Sequence, residues 1–356
     1  MRQKKLFREL LLKWHAEENK RTMPWKGVKD AYKVWLSEII LQQTRVEQGW
    51  DYYEKFIQQY PTIVQLANAE DEDVFKLWEG LGYYTRCRNL LHTARVVRDK
   101  HKGCFPSDYN TVLNLKGIGS YTAAAITSFC FSQPYAVVDG NVLRVLSRFF
   151  GIETPVDATA GKKLFARLAQ ECLDTANPGE YNQSIMDFGA TVCKPLPLCR
   201  QCLLQKNCVA FGSSKVDILP IKKKSARKKE RWFSYFILTH KNKTFVQQRT
   251  AKDIWQNLYE FYLEETSADP AWNKETIKQW LASKQLSLSG EAVIIPAKKQ
   301  ALTHQVINGY FIVAELKKLP PAFAGNWLSS NQIKSKAFPQ FIHQFTEKTS
   351  LQLRVL

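Results

Sequence analysis

Glu38 stands inside Val34-Trp-Leu-Ser-Glu-Ile-Ile-Leu41, a run in which six of eight residues are apolar. A carboxylate there is desolvated unless it opens on a cleft, so its pKa should rise and it could hold a proton near neutrality. The plainer alternative is a glutamate at the helix edge, paired with a nearby Arg or Lys. Asp139, in Val138-Asp-Gly-Asn-Val-Leu-Arg144, is placed to cap a helix starting near Asn141. Capping and chemistry are compatible, because a helix N-terminus favours the ionised carboxylate. An ionised Asp facing a protonated Glu is the pairing that glycosidic cleavage through an oxocarbenium-like state requires. A second constellation is Cys193, Cys199, Cys202 and Cys208, spaced C-x5-C-x2-C-x5-C. Four thiolates this close suit one metal centre, either an iron–sulfur cluster or structural zinc. Zinc sites usually pair two C-x2-4-C knuckles across a longer loop, whereas this run holds a single C-x2-C.

Elements able to position these groups are legible around them. Gly117 and Gly119 flank one apolar residue between Val112-Leu113 and the Ala-rich run 122–126. Two glycines so placed suit a tight hairpin between helices, since glycine accepts positive φ. The amides that open the second helix, from Ser120, would then point outward as a site for a phosphate oxygen. Such a contact positions DNA without selecting a sequence. An ordinary αα-corner fits a lone G-x-G equally well. From Leu6 to about Ala210 the periodicity is helical, with Gly, Pro and Asn clusters at 102–106 and 176–179 as punctuation.

The chain has 356 residues, enough for two or three domains, and 51 Lys+Arg against 33 Asp+Glu give a formal net charge of +18. That balance favours a polyanion, and a membrane surface would satisfy it equally. No apolar run approaches the ~20 residues of a membrane span, and the basic N-terminus lacks the apolar core of a signal peptide. Cys87, Cys104, Cys130 and Cys172 are scattered, as buried thiols in a reducing compartment would be. The expected setting is the cytoplasm, in association with the bacterial nucleoid.

The glycine hairpin of residues 115–126, followed some twenty residues on by Asp139, resembles the helix-hairpin-helix plus Gly/Pro…Asp signature of the DNA glycosylase superfamily. Met23-Pro-Trp25, Tyr32-Lys-Val-Trp-Leu-Ser-Glu-Ile-Ile-Leu-Gln-Gln-Thr44, Leu77-Trp-Glu-Gly-Leu-Gly-Tyr-Tyr84 and Asn182-Gln-Ser-Ile-Met-Asp-Phe-Gly-Ala190 narrow the resemblance to its adenine glycosylase family, MutY. It implies an all-α glycosylase domain over residues 1–212 that removes adenine mispaired with 8-oxoguanine, or with guanine, from double-stranded DNA, acting as a monomer. Glu38 would protonate the adenine ring nitrogen and then handle the water. Asp139 would stabilise the sugar cation, with Tyr121 and Asn141 in support. Arg21, Trp25, Leu41 and Gln183 would line the adenine pocket, and Lys26 stands where many relatives carry Arg. Bifunctional relatives carry a lysine nucleophile at the position of Tyr121, and a phenol cannot form a Schiff base. Gln42, Gln43 and Tyr83, beside Thr44, correspond to residues that wedge into the duplex as the base is flipped. An aromatic ring and a planar amide can fill the gap left by an extruded nucleotide. Gly117, Gly119 and Ser120 would meet the DNA backbone. The four cysteines, in the loop 193–208, would hold a [4Fe–4S] cluster in an iron–sulfur subdomain.

Composition changes at 213–230, where Lys222-Lys-Lys224 and Arg227-Lys-Lys229 read as a solvated basic linker. Beyond it, strands are expected at 232–239, 243–248, 292–295 and 309–314, and a helix at 274–284. Residues 231–356 therefore read as an α+β domain, and the run 248–261 resembles the MutT/Nudix-like domain of the same family. The carboxylate helix R-E-x2-E-E of nucleotide pyrophosphohydrolases is absent, so this domain should bind rather than hydrolyse. Leu302-Thr303-His304 aligns with the family's Phe-Ser-His loop that probes 8-oxoguanine, while a simple strand-edge turn would also account for it.

Overall fold

The computed structural model describes residues 2–223, 228–319, 323 and 327–346. They divide into two compact units, Met1–Asn68 with Arg88–Ser225, and Ala69–Cys87 with Ala226–Leu356. The helices of the chain are α1 (Arg2–Glu17), α2 (Ala31–Leu41), α3 (Val46–Gln59), α4 (Ile63–Asn68), α5 (Asp71–Leu77), α6 (Thr85–Lys100), α7 (Tyr109–Leu113), α8 (Ser120–Phe131), α9 (Gly140–Phe150), α10 (Thr159–Cys172), α11 (Pro178–Thr191), α12 (Val209–Gly212), α13 (Lys274–Ser283), α14 (Ser330–Lys334) and α15 (Gln340–Thr346). Among the described residues no helix is long and apolar enough to cross a membrane.

The first unit is all helical. Asp30 caps α2 by accepting from the Tyr32 and Lys33 amides. From Val34 to Ile40 every α2 residue is buried, as a helix apolar on all faces must be. Its main core joins Phe7, Leu11 and Trp14 of α1 to Val145, Leu146 and Phe149 of α9, Phe165 of α10, and Ile185 and Phe188 of α11. Each such side chain contributes about 1.5–3 kcal/mol on burial. Pro178 opens α11 at its first position, where its missing N–H costs nothing, so the 176–179 cluster starts a helix.

The α7–α8 hairpin forms at the glycine pair, but only one glycine takes the expected conformation. Gly117 has φ +82°, and a Cβ there would lie 2.7 Å from Asn89 Cβ. Gly119 is extended and stands before α8 as its cap, with no side chain over the first amides. Thr93 Oγ1 donates to the Lys116 carbonyl at 2.8 Å and pins the turn.

Residues 213–223 are not a free tether. Arg148, almost wholly buried, donates to the carbonyls of Leu219, Lys194 and Pro195. A buried guanidinium needs acceptors, and the polypeptide after the cysteine loop supplies one. Val156 N–H bonds to Ile221 O, and the Lys223 amide donates to the Asp157 carboxylate. Residues 224–227 of the expected linker lie outside the described residues. Cys104 is exposed and Cys130 half-buried, so only Cys87 and Cys172 of the scattered thiols are buried.

The second unit is built on β1 (Lys229–His240), β2 (Lys243–Phe245), β3 (Gln247–Gln248), β4 (Tyr259–Glu260), β5 (Tyr262–Thr266), β6 (Val293–Pro296), β7 (Gln300–Ala301), β8 (Gln305–Glu315) and β9 (Trp327–Ser329). The main sheet runs β6-β8-β1-β2-β9, with β5 also on β1 and β7 also on β8. Its centre is the parallel pair β1/β8, in register from Lys229↔Gln305 to Thr239↔Glu315. Phe236 stacks on Trp280 of α13 at 3.6 Å, and its neighbour Tyr235 packs against Phe341 of α15. Both faces of β1 are thus covered, which is why its middle reads as a nearly continuous apolar run. Arg231 and Arg249 hold Asp253, Glu260 and Glu265 in ion pairs.

Residues 69–87, expected within the helical domain, pack with this second unit. Glu72 accepts from Tyr259 and Lys336, and Glu79 from Lys76, the Phe338 amide and His343. Apart from Lys76–Glu79, spacings of about 190 to 270 residues leave no local trace of such pairs, so charged positions on a helix read as a solvated face.

Gly309 tests the sheet packing. A Cβ there would lie 1.8 Å from Phe233 O in the adjacent strand, so the β1/β8 pair would have to part. Gly309→Ala should destabilise the second unit by about 2 kcal/mol or more, read as a lowered denaturation midpoint; an unchanged midpoint would contradict this register.

Candidate active site

One cavity of about 720 Å³ in the first unit gathers Glu38, Tyr121, Asp139 and Asn141 with Arg21, Trp25, Lys26, Leu41, Gln42, Gln43, Thr44 and Gln183. Glu38 projects from buried α2 and is only 6% exposed. Burial raises its carboxyl to about 7; the Tyr121 hydroxyl beside it pulls down, and the charge of Asp139 pushes up. Tyr121 lies in the first turn of α8, and burial beside Glu38 holds the phenol protonated far above its ordinary range.

Asp139 caps α9. Its Oδ1 accepts from the Val142 amide at 2.7 Å and its Oδ2 from Asn141 Nδ2 at 2.7 Å. These donors favour the ionised form, yet burial outweighs them and the net shift of Asp139 is upward. The expectation drawn from the helix terminus alone is corrected on that point. Asn141 is fixed in turn by Arg144, which donates to Asn141 Oδ1 and to the Gly189 and Cys193 carbonyls. A side chain at Gly189 would meet Asn141 Cβ at 2.7 Å, so the tight approach of α11 to α9 depends on this glycine. Arg144 was not singled out in the sequence, although its place one turn after Asn141 is a usable signal.

The opposite wall is charged. Asp187 of α11 is wholly buried and accepts from Asn19 Nδ2, Arg21 NH1, Lys26 Nζ and Gln183 Nε2, each at 2.9 Å. Lys26 therefore makes an ion pair here. Asn19 also donates to His15 Nδ1, whose pKa is lowered by burial and by the charge of Lys26. Asp187 lay unremarked in the motif 182–190; its signal is a lone acid among Ile185, Met186 and Phe188. Trp25 is held edge-on to Tyr53 at 5.2 Å.

Not all of the residues expected at the duplex share the cavity. Gln42 ends α2, and Gln43 follows at φ +59°, the left-handed region. Tyr83 does not share that cavity. It belongs to the second unit, is 48% exposed, has φ +49°, and its hydroxyl lies 2.9 Å from Thr303 Oγ1. Leu302, Thr303 and His304 form the short loop joining antiparallel β7 and β8, so the turn reading is geometrically right and leaves Thr303 and His304 exposed.

Cys193, Cys199, Cys202 and Cys208 line one small cavity with Arg148, Val192, Pro197, Leu198, Phe211 and Val216. Burial raises the thiols of Cys199, Cys202 and Cys208, Cys202 to about 12, and charge on the neighbouring sulfurs adds to it. Arg148 NH1 lies 3.6 Å from Cys193 Sγ. Four sulfurs with no carboxylate or imidazole among them are a soft donor set of the type that holds iron–sulfur or zinc centres. Among the described residues no three His, Cys, Asp or Glu side chains converge closely enough to hold a metal ion.

A glycine hairpin leading into the helix of Tyr121, a capped aspartate and a cavity lined by Tyr121 and Asp139 define a helix-hairpin-helix base-excision glycosylase. Residues 36–171 match the HhH-GPD superfamily of base excision DNA repair proteins, and residues 234–348 match the NUDIX domain. The chain is 36% identical over 291 residues to the adenine DNA glycosylase of Buchnera aphidicola subsp. Acyrthosiphon pisum, covering 80% of each chain. It belongs to the adenine DNA glycosylase family, and is a DNA-binding enzyme that removes adenine. The human adenine DNA glycosylase is 44% identical over 57% of this chain and 39% of its own length. A thermostable thymine-DNA glycosylase superposes with TM-score 0.55 at 28% identity over 60% of this chain and 98% of its own. Endonuclease III bound to DNA gives 0.52 at 19% over 59% and 97%, a likeness of fold.

The raised carboxyl of Glu38 has a stability consequence of definite sign. Below pH 4.5 it is protonated folded or unfolded. Between 4.5 and about 7 the unfolded chain ionises first, so stability falls as pH rises through that window and is lowest above it. Glu38→Gln should therefore be no more stable than the parent at pH 4.5 but about 3 kcal/mol more stable at pH 8, measured by denaturant unfolding. The same variant should lose about a hundredfold or more in single-turnover adenine excision; an unchanged rate would remove Glu38 from the chemistry.

Proposed function

We propose that the adenine removed is one mispaired with 8-oxoguanine, or with guanine, and that the product is an abasic site in an uncut strand. The observation carrying this reading is the buried Glu38, its carboxyl pushed up to about 7, in the same cavity as the capped Asp139. In the proposed reaction Glu38 gives its proton to a ring nitrogen of the flipped adenine as the glycosidic bond breaks. The bonding electrons leave with the base. The Asp139 carboxylate, oriented by Val142 and Asn141, faces the sugar cation. Glu38, now ionised, takes a proton from the incoming water as its oxygen bonds to the sugar carbon. Tyr121 holds Glu38 in place and offers no amine for a covalent intermediate. Arg21, Trp25, Lys26, Leu41 and Gln183 line the base site, while Gln42, Gln43 and Thr44 at its mouth meet the duplex. Gly117, Gly119 and Ser120 present the α8 amides to a phosphate.

Cys193, Cys199, Cys202 and Cys208 would hold a [4Fe–4S] cluster, which when bound supplies a four-point tie that orders the loop 193–208. Arg144 and Arg148 join that loop to the α9 carrying Asn141, so the tie supports the catalytic wall mechanically. Protein isolated without oxygen should be brown and contain about four irons per chain; one zinc and no iron would assign the site to the rival metal.

Thr303, with Tyr83 at its hydroxyl and His304 beside it, is the proposed reader of the opposite base. Guanine N7 is an acceptor, whereas 8-oxoguanine carries N–H there and a new carbonyl. A hydroxyl or imidazole separates the two by a bond or two, about 1–3 kcal/mol. The enzyme is taken to work as a monomer in the cytoplasm. Thr303→Ala with His304→Ala should cut the preference for 8-oxoguanine over guanine opposite adenine by roughly tenfold to a hundredfold. Binding and single-turnover excision on the two mispairs at one salt concentration measure it. Equal discrimination by parent and variant would place recognition elsewhere. Deleting the C-terminal domain is the poorer test, because residues 69–87 would lose their packing partners.

A further inference from the structure

Asp187 is a buried carboxylate whose four lone-pair positions are all taken. Oδ1 accepts from Arg21 NH1 and Gln183 Nε2, and Oδ2 from Asn19 Nδ2 and Lys26 Nζ. An ionised carboxylate is an acceptor only, and this one pairs with two cations, Arg21 and Lys26, at 2.9 Å. The Gln183 amide must therefore turn its NH2 towards Asp187, and the orientation follows from hydrogen-bond parity. Its Oε1 then has no partner among the described residues, and Gln183 lines the cavity that contains Glu38.

We infer that Asp187 is a positioning residue that selects adenine over 6-oxopurines by locking the Gln183 amide with its oxygen toward the base. The inference rests on the proposed placement of the base against Gln183. Adenine presents a donor, the 6-amino group, where guanine and hypoxanthine present an acceptor oxygen. A fixed Oε1 accepts from the former and repels the latter. A free amide could turn through half a circle and offer NH2 to the oxo group instead. Selectivity would then reside one residue behind the contact, in a partner of Gln183 that, ionised, cannot donate.

Asp187→Asn tests this at nearly constant volume, because the new amide can donate to Gln183 Oε1 and so allows the turned orientation. Asp187→Ser, also a donor, is the second variant, and Gln183→Met removes the acceptor itself. The measurement is single-turnover release of adenine and of hypoxanthine, each opposite the same base. The parent should strongly favour adenine. In Asp187→Asn or Asp187→Ser the adenine-to-hypoxanthine ratio should fall about tenfold or more, with hypoxanthine release holding steady or rising. A merely structural role for Asp187 would lower both rates together and leave the ratio unchanged, which would overturn the inference. If neither Asp187 variant folds, Gln183→Met decides: a collapsed ratio supports the fixed acceptor, and an unchanged one refutes it. A parent that releases no adenine opposite any base would instead refute the proposed base site.

Discussion

The desolvation of Glu38 is the constraint on which the catalytic unit depends. An ionised carboxylate buried on α2 is costly, and a neutral one is tolerable, so the environment selects the proton-carrying form near neutrality. That environment requires α2 to be covered on every face. Small residues make the cover close: Ala123, Ala124 and Ala125 of α8 are buried, and so is Ser37 of α2. The approach that hides Glu38 also delivers the Tyr121 hydroxyl to it. Asp139 faces the same space from a different kind of support, a helix start. Two carboxyls on two elements thus acquire different neighbours, an apolar helix for one and amide donors for the other, while burial shifts both upward.

Buried charges elsewhere obey the opposite logic, saturation instead of neutralisation. Asp187 fills every lone pair, Arg148 spends its N–H groups on three carbonyls, and Arg231 and Arg249 bind three carboxylates. Removing one partner from such a set leaves a buried charge uncompensated, which is more damaging than the set's net contribution suggests. The Arg148 set also has a geometric effect. It ties the cysteine loop and the following chain to α9, so that a segment with a linker's composition is committed to the helical unit through Ile221 and Lys223.

Much of this was legible along the chain. The apolar period around Glu38, the cap at Asp139, the glycine hairpin, the four-cysteine spacing and the strands of the second unit each depend on neighbours within a few residues. The ends of Lys274–Ser283 and Val293–Pro296 fell close to expectation for that reason, whereas the strands Lys229–His240 and Gln305–Glu315 begin three and four residues before it. Pairings across long separations were not legible. No periodicity reveals that Glu72 and Glu79 serve Lys336, Tyr259 and His343, or that Tyr83 meets Thr303. The packing of the segment 69–87 with the second unit was therefore not legible, although it lies within the stretch 36–171 that matches the glycosylase family. Asp187 was visible only as an acid in an apolar helix, and its four donors come from α11 itself and from the loop between α1 and α2. Asp139 shows the same limit in energy: its cap could be read locally, but burial, which reverses the expected shift, is a sum over the whole fold. Local spacing sets which groups are present and on which element; the dielectric around them and their distant partners exist only once the chain has closed on itself.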